Sequence, residues 1–406
     1  MFIEKNENEN IKIVYYNIKE KYKKFLLLLI LFNTVFFISI DKEKIIRRKN
    51  ELSEGIKYMK LCFNGIFLNS NYKTFSLNPK ISTVIPVYNS QDTIKAAIRS
   101  IQNQNMGNIE IILVNDNSKD NTSKIIQELA VEDPRIKIIN NEKTRATLYS
   151  RNIGILFSKG KYIMNLDNDD LFLNSDLFDV VYDEAEIGNF DLIGFSAVES
   201  HTYNPSIPKM KDSFFHSHKD GLTVYQPELT YFAISKNDDK FKPNDIHVWG
   251  RLTNSKIYKE AINNLGKNVI GEIRNSCFVT WNEDSVMSMA IYRYARSYKF
   301  IRKYGIFHYL SKLTASKTSK DDLKMYGDLF FIDIAFDFSH DNFKGKKYSF
   351  QMLKKMIFSD NYDTYNEKNI KFLKAILNKM LESRYISFGD KKKIHKYLDK
   401  VNSITI

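Results

Sequence analysis

An apolar run at residues 161–166 leads directly into three carboxylates, Asp167, Asp169 and Asp170. Carboxylate oxygens are the ligands that Mg²⁺ or Mn²⁺ prefers, and an ion held by one or two of them keeps its other positions for substrate phosphates and water. An Asp-rich turn after a strand is also ordinary turn chemistry. The cluster therefore predicts either a plain turn or a divalent-cation site for a phosphate-bearing substrate.

The chain before this cluster alternates apolar strands with helical segments. Strands are predicted at residues 81–87, 109–114, 136–140 and 161–166, and helices at residues 94–104, 122–131 and 149–158. This alternation is typical of an α/β domain with a mostly parallel sheet. Ligands of such sheets bind beyond the carboxyl ends of the strands. Asn89, Asp116 and Asp167 all follow a predicted strand end.

Five segments, in order along the chain, resemble the family 2 glycosyltransferases of the GT-A fold, a Rossmann-like fold that binds nucleotide-diphospho-sugars. They are residues 84–89 (Val-Ile-Pro-Val-Tyr-Asn), 114–122 (Val-Asn-Asp-Asn-Ser-Lys-Asp-Asn-Thr), 151–154 (Arg-Asn-Ile-Gly), 160–170 (the strand and its Asp-x-Asp motif) and 281–284 (Trp-Asn-Glu-Asp). The last segment opens a helix predicted over residues 285–298, like the family's Glu-Asp motif. The resemblance covers about residues 80–315 and fades outside them.

The resemblance implies a nucleotide-sugar donor, with UDP as the expected nucleotide. The base would lie against a wall formed by Pro86, Tyr88 and Asn89. Asp116 would accept a hydrogen bond from the uracil imide or from a ribose hydroxyl. Its plain alternative is helix capping, although Ser118 and Asp120 lie closer to the start of the following helix.

The same resemblance implies a metal between the Asp cluster and the two phosphates. Asp167 would meet the ribose hydroxyls or a metal-bound water, and Asp169 would coordinate Mn²⁺ or Mg²⁺. The metal would stabilise the charge that builds on the leaving diphosphate. An always-charged guanidinium suits a diphosphate. Arg151 is the preferred residue for this role, and Arg145 is the alternative.

Asp284 is the predicted general base that takes the proton from the acceptor hydroxyl, with Glu283 as its orienting neighbour. General-base catalysis typically contributes about 10²- to 10⁴-fold to the rate. Acidic residues are also favourable in the first turn of any helix, and both roles can hold together. In-line attack would invert the anomeric centre, as the family does.

Three aromatic residues leave their roles open. Trp249 and Trp281 could each offer an apolar face to a sugar ring or could simply belong to the core. His308 could be a late ligand of the metal or a packed core residue.

Residues 25–40 form an uncharged and mainly apolar run between lysine and aspartate residues. As a helix the run would span about 24 Å, which is short for a bilayer core of about 30 Å. We predict an uncleaved signal anchor, with a cleaved signal peptide as the alternative. Lys and Arg residues flank both ends, so the positive-inside rule gives no orientation.

The predicted layout is a tail (1–24), a transmembrane anchor (25–40), a stem (41–79), a GT-A domain (80–318) with a loop-rich insertion at residues 199–246, and a C-terminal helical region (319–406). In that last region, helices are predicted at residues 323–336, 348–358, 370–381 and 391–401. The plan is typical of a single-pass type II enzyme whose catalytic domain faces the Golgi or ER lumen. The one Asn-x-Ser/Thr sequon, at Asn121, lies beside the predicted nucleotide site, which keeps a cytosol-facing domain open.

Composition limits the partners. Two cysteines, Cys62 and Cys277, cannot form a disulfide framework. The net charge of +13 comes from dispersed residues without a nucleic-acid-binding motif, so no nucleic-acid partner is expected. The basic stem and tail could instead contact anionic lipid or acidic glycans.

The sequence therefore predicts a membrane-anchored, metal-dependent, inverting glycosyltransferase that moves a sugar from a nucleotide donor to a hydroxyl of a glycan, a lipid or a protein. One alternative is a catalytically silent GT-A scaffold or binding domain, against which the intact Asp167, Asp169 and Asp284 speak. The other is a polyprenyl-phosphate glycosyltransferase at the cytosolic face of a membrane.

Overall fold

The structure is a computed structural model, and it describes residues 43–44, 46–67, 76–203, 211–212, 218–226, 228–231, 234–237, 240–243, 247–268, 279, 282–310, 321–338, 349–350, 366–384 and 386–402. The chain divides into two compact units, Met1–Gly55 and Ile56–Ile406. The described residues of the first unit are helical. The second unit contains the sheet and every candidate site residue.

A mixed sheet organises the second unit. Its strands are β1 (Ile81–Val87), β2 (Ile109–Asn115), β3 (Ile136–Asn140), β4 (Tyr162–Asn165), β5 (Leu171–Phe172), β6 (Leu192–Ser200), β7 (Lys211–Asp212), β8 (Thr223–Tyr225), β11 (Arg251–Asn254) and β12 (Ser297–Tyr309). A separate antiparallel pair consists of β9 (Ile234–Asn237) and β10 (Lys240–Pro243).

The strand order is β3-β2-β1-β4-β11-β6-β12-β5, with β7 beside β6 and β8 beside β12. Strands β1 to β4 are parallel, whereas β11 runs antiparallel between β4 and β6. The chain leaves β1 toward β2 and β3 and then returns to place β4 on the other side of β1. This reversal of strand order opens a crevice at the carboxyl ends of β1 and β4, which is where such sheets bind ligands.

Helices cover both faces of the sheet. They are α1 (Ile94–Gln102), α2 (Thr122–Glu132), α3 (Ala146–Phe157), α4 (Leu177–Gly188), α5 (Ser255–Asn268), α6 (Glu283–Tyr294), α7 (Asp321–Phe338), α8 (Glu367–Glu382) and α9 (Phe388–Asn402). Successive strand residues point to opposite faces. Ile85 and Ile111 pack with α1, α2 and α4, whereas Val84 and Ile112 pack with α3, α5 and the later helices. Burial on both faces explains why β1 and β2 read as continuous apolar runs.

Gly154 allows α3 to lie close to the sheet. A Cβ atom at this position would be 2.6 Å from Val84 Cγ1 and 2.9 Å from Val114 Cγ2, which is inside van der Waals contact. Arg151 lies one turn nearer the start of α3. The close approach therefore brings Arg151 to the carboxyl ends of the central strands.

The C-terminal helices α7, α8 and α9 share one hydrophobic cluster with α5 and α6. Lys379 of α8 forms ion pairs of 2.7 Å with Asp333 and 2.6 Å with Asp337, both in α7. The helix that begins with Glu283 and Asp284 therefore packs in the same core as the C-terminal region.

The α/β fold predicted from residues 81–166 is confirmed, and each predicted strand and helix there lies within a few residues of the observed one. The helix predicted over residues 285–298 was too long, because it ends at Tyr294 and β12 begins at Ser297. Pairing with β6 makes that segment a strand. Residues 199–246, expected to be loop-rich, contain the short strands β7 to β10 where they are described.

Several predictions fall on residues outside the described ones. They concern the tail, the anchor at residues 25–40, most of the helix at residues 348–358, Cys277 and Trp281. Within the part of the chain that the structure describes, no helix is both long enough and apolar enough to cross a membrane.

Candidate active site

The loops that follow β1 and β2 are joined by hydrogen bonds. The Lys119 N–H donates to Asn89 Oδ1 at 2.8 Å, and the Asn89 N–H donates to Ser118 Oγ at 3.1 Å. Asn89 has a left-handed backbone with φ 45°, which asparagine tolerates better than most residues. Of the predicted base wall, Tyr88 is 47% exposed and accessible to a ligand, whereas Pro86 is buried within β1.

Asp116 lies just after β2 and holds the start of α3. Its Oδ1 accepts from the Arg145 N–H at 2.8 Å and from Asn141 Nδ2 at 2.7 Å, and its Oδ2 accepts from the Ala146 N–H at 2.9 Å. The capping role expected for Asp116 concerned the next helix in the chain, α2, whereas its carboxylate accepts from the start of α3. Because each carboxylate oxygen can accept two hydrogen bonds, these three bonds use three of four acceptor positions. One position on Oδ2 remains for a ligand.

Arg151 connects two carboxylates that are distant in sequence. Its Nη1 donates to Asp284 Oδ1 at 2.7 Å, and its Nη2 donates to Asp167 Oδ1 at 2.8 Å. The side chain is only 1% exposed. Both ends of the guanidinium are thus engaged by carboxylates, and its contact with a diphosphate stays a prediction. The alternative cation, Arg145, lies over the ring of Tyr149 at 5.2 Å.

Glu283 and Asp284 open α6 with unequal protonation. Burial would raise the pKa of Asp284, but the Arg151 guanidinium and His247 outweigh burial and lower that pKa to about 2. Burial, reinforced by the charge of Asp284, raises the pKa of Glu283 to about 8. At neutral pH Asp284 is therefore ionised and Glu283 protonated. Of this pair, Asp284 is the one that can accept a proton.

Asp169 and Asp170 have different surroundings. Asp170 is fully buried, accepts from the Tyr309 N–H at 2.9 Å and pairs with His308 Nδ1 at 3.0 Å. Asp169 is half-buried, and its pKa is raised to about 8 by burial and by the charges of Asp170 and Asp167. Asp170 therefore ties the turn to β12, whereas Asp169 is half-buried beside two other carboxylates that disfavour its ionised form.

This donor set suits a hard divalent cation. A cation beside Asp169 would offset the repulsion from Asp167 and Asp170 that raises its pKa. Within the described residues, no three His, Cys, Asp or Glu side chains are grouped so as to hold a metal ion. The protein would therefore supply one or two ligands, and a diphosphate and water would supply the rest. The Nδ1 atom of His308 is engaged by Asp170, which leaves its Nε2 as the nitrogen that could reach a metal.

Trp249 is stacked with two imidazole rings. The rings of His247 and His308 each lie 4.7 Å from it, at interplanar angles of 26° and 25°. The Nδ1 atom of His247 is 3.6 Å from Asp284 Oδ2. Trp249 is 2% exposed, so it serves the core and does not offer its face to a sugar.

The fold gathers residues predicted from separate motifs. Asp116 and Asp167 lie at the carboxyl ends of β2 and β4, and Arg151 brings Asp284 to the same place. His247 was missed as a partner of Asp284. A single histidine in a short segment before β11 has no periodicity that would single it out, and only its proximity to Asp284 in the fold identifies it.

Comparison with known proteins identifies the class. The crystal structure of S. aureus TarS residues 1–349 in complex with UDP-GlcNAc superposes with a TM-score of 0.54 at 14% identity, covering 80% of this chain and 88% of that chain. At this identity the likeness shows a shared fold. Residues 82–270 match the family model described as Glycosyl transferase family 2. The chain thus carries a family 2 glycosyltransferase domain, which confirms the resemblance seen in its motifs.

Two curated relatives are similar over parts of their length. The uncharacterized glycosyltransferase EpsJ of Bacillus subtilis is 31% identical over 36% of this chain and 46% of its own length. The Escherichia coli protein WfgD, a UDP-Glc:alpha-D-GlcNAc-diphosphoundecaprenol beta-1,3-glucosyltransferase, is 31% identical over 30% of this chain and 53% of its own length. The chain therefore spans about half the length of these relatives.

Proposed function

We propose that this protein is a metal-dependent, inverting glycosyltransferase that transfers a sugar from a UDP-sugar to a hydroxyl group of a glycan, a lipid or a protein. The observation that carries the proposal is the position of Asp284 and Asp167 at the two ends of one buried guanidinium, that of Arg151. A carboxylate able to accept a proton thereby lies beside carboxylates suited to hold a diphosphate through a cation.

The donor class is supported by the relatives and by the nucleotide half of the site. The name of WfgD specifies UDP-Glc, and the TarS structure contains UDP-GlcNAc. In this chain the exposed ring of Tyr88, between Pro86 and Asn89, offers a face for the base. The remaining acceptor position of Asp116 suits the uracil imide or a ribose hydroxyl.

The metal would be held first by Asp169. Asp167 has one oxygen engaged by Arg151, so its other oxygen would meet the ribose hydroxyls or a metal-bound water. A bound Mn²⁺ or Mg²⁺ supplies Lewis-acid stabilisation to the departing diphosphate. Asp170 and His308 hold the turn that carries these two carboxylates.

Asp284 would take the proton of the acceptor hydroxyl while the acceptor oxygen attacks the anomeric carbon. The new carbon–oxygen bond forms on the face opposite the leaving UDP, so the anomeric configuration inverts. A base works best when its pKa is near the working pH. Since Arg151 and His247 lower the pKa of Asp284, loosening of either contact in the substrate complex would make it a stronger base.

The proposed function is compatible with two membrane arrangements, which differ in the side of the membrane that the catalytic domain faces. We propose that residues 25–40 form a single N-terminal anchor and that the catalytic domain faces the lumen, as in a type II enzyme. A second candidate is transfer to a polyprenyl-linked acceptor at the cytosolic face, which the lipid-linked acceptor in the name of WfgD favours. Protease protection of a C-terminal epitope in sealed membrane vesicles distinguishes the two orientations.

The first test is calorimetric titration of the detergent-solubilised full-length protein with UDP and then GDP, each with and without Mn²⁺. We expect UDP to bind at least about tenfold more tightly with Mn²⁺, because the metal links Asp169 to the diphosphate. Asp169→Ala should abolish this metal dependence, and the exposed Asp183 on α4 provides the control Asp183→Ala. Folded protein that binds neither nucleotide would favour the silent scaffold instead.

A further inference from the structure

Asn282 immediately precedes Glu283 and Asp284, and its backbone is left-handed with φ 58° and ψ 13°. Residues with a Cβ atom seldom adopt this conformation, although asparagine does so more readily than most. Because α6 begins at Glu283, the backbone of Asn282 sets the direction in which the chain enters the helix. It therefore determines where the two carboxylates of the first turn lie.

The side chain of Asn282 is held from outside its own helix. An asparagine at the N-cap position usually accepts hydrogen bonds from the first backbone N–H groups of the helix, but Asn282 makes no such bond. Its Nδ2 donates instead to Asp328 Oδ1 in α7, and its Oδ1 accepts from Ser285 Oγ at 3.4 Å. The turn before Asp284 is thus tied to the C-terminal helical region.

Helix α7 is itself firmly placed. Met325, Leu329 and Ile332 are buried in the hydrophobic cluster shared with α6. At the far end of α7, Lys379 of α8 pairs with Asp333 and Asp337. Asp328 therefore projects from a helix that is fixed on both sides, and it can impose its position on Asn282.

We propose that Asp328 is a positioning residue, through which the C-terminal helices hold the left-handed turn at Asn282 and so aim Asp284 at the acceptor hydroxyl. The inference rests on the proposed role of Asp284 as the base. It gives the C-terminal region a direct part in turnover. Donor binding depends on the nucleotide half of the site, around Tyr88 and Asp116, and should not need the contact between Asn282 and Asp328.

The test compares four variants of the full-length protein in Mn²⁺. Asp328→Ala removes the acceptor, and Asp328→Asn keeps a neutral one. Asn282→Gly in the Asp328→Ala background lets the turn adopt positive φ without a tether. Asp337→Asn removes a carboxylate from the same helix away from the turn, leaves the Asp333–Lys379 ion pair that holds α7 in place, and serves as the control. The readouts are UDP release from UDP-glucose and UDP-GlcNAc, UDP affinity, and hydrogen exchange of the amides at the start of α6.

We expect Asp328→Ala to lower the maximal rate of UDP release by about 10- to 100-fold, as small misplacements of reacting groups do, with UDP affinity unchanged. Amides at the start of α6 should exchange about tenfold faster, because the local opening becomes easier. Asp328→Asn and the double variant should recover most of the rate. Asp337→Asn should match the wild type in both rate and exchange.

Two results would overturn the inference. One is unchanged exchange at the start of α6 in Asp328→Ala, and this readout applies even to a protein without turnover. The other is a loss of rate that Asp337→Asn reproduces, which would reflect general loosening of α7. A wild-type protein that neither binds UDP nor releases it from a UDP-sugar would instead refute the proposed function.

Discussion

The two halves of the candidate site are held together by different kinds of contact. In the nucleotide half, backbone N–H groups donate hydrogen bonds to side-chain oxygens. The Lys119 N–H donates to Asn89, and the N–H groups of Arg145 and Ala146 donate to Asp116. In the catalytic half, charged side chains from distant segments hold one another. Arg151 binds Asp284 there, and His308 binds Asp170.

The difference has consequences for how each half responds to change. Loops whose backbone N–H groups donate to Asn89 and Asp116 keep their shape when other nearby side chains are replaced. A buried ion pair, by contrast, leaves an uncompensated charge when one partner is lost. Substitutions in the nucleotide half should therefore alter donor affinity, whereas those in the catalytic half should alter turnover, stability or both.

Asp284→Asn should have the largest effect, and it should lower turnover without changing donor affinity. The amide keeps the shape of the carboxylate but cannot accept a proton at neutral pH, so the transfer rate should fall by about 10²- to 10⁴-fold, with UDP affinity unchanged. Glu283→Gln is the matched control, because Glu283 is already protonated at neutral pH and should tolerate the change. Initial rates and UDP titration measure both quantities. Transfer that persists in Asp284→Asn would exclude this residue as the base.

Arg151→Met tests whether the catalytic half depends on its central cation. Removing the guanidinium leaves Asp167 without its cation and Asp284 with only His247 as a partner, so the free energy of unfolding should fall by about 3 to 5 kcal/mol. Urea denaturation followed by circular dichroism measures the loss. Adding Asp284→Asn to Arg151→Met should restore part of the stability. A change below about 1 kcal/mol in Arg151→Met would mean that the carboxylates reach water when the cation is gone.

Gly154→Ala should have the smallest effect of the three substitutions. It changes the distance between α3, which carries Arg151, and the sheet. The new methyl would collide with Val84 and Val114, so α3 would shift from the sheet at a cost of about 1 to 3 kcal/mol. Thermal unfolding measures the change. Gly389 in α9 has no atom within 4 Å of its would-be Cβ, and Gly389→Ala is the control that should not destabilise. Equal stability of both variants would show that α3 has room to move.

Much of the nucleotide half could be predicted from the sequence. The alternation of apolar strands and helices from residue 81 to residue 166 is a local pattern, and it is confirmed. It places Asn89, Asp116 and Asp167 at strand ends without any knowledge of tertiary contacts. The helix prediction was wrong from Ser297 onward, because pairing with β8 and β6, and not the local sequence, decides the conformation there.

Short, contiguous patterns of residues are enough to predict the α/β fold, the family of the central domain and which acidic residues follow strand ends. The folded chain was needed to show that Asp116 caps α3, that Arg151 joins Asp167 to Asp284, and that Asp328 holds the turn at Asn282. Arg151 and Asp284 are 133 positions apart and Asn282 and Asp328 are 46 apart. Contacts of that range depend on how helices pack across a sheet, which no local pattern of residues encodes.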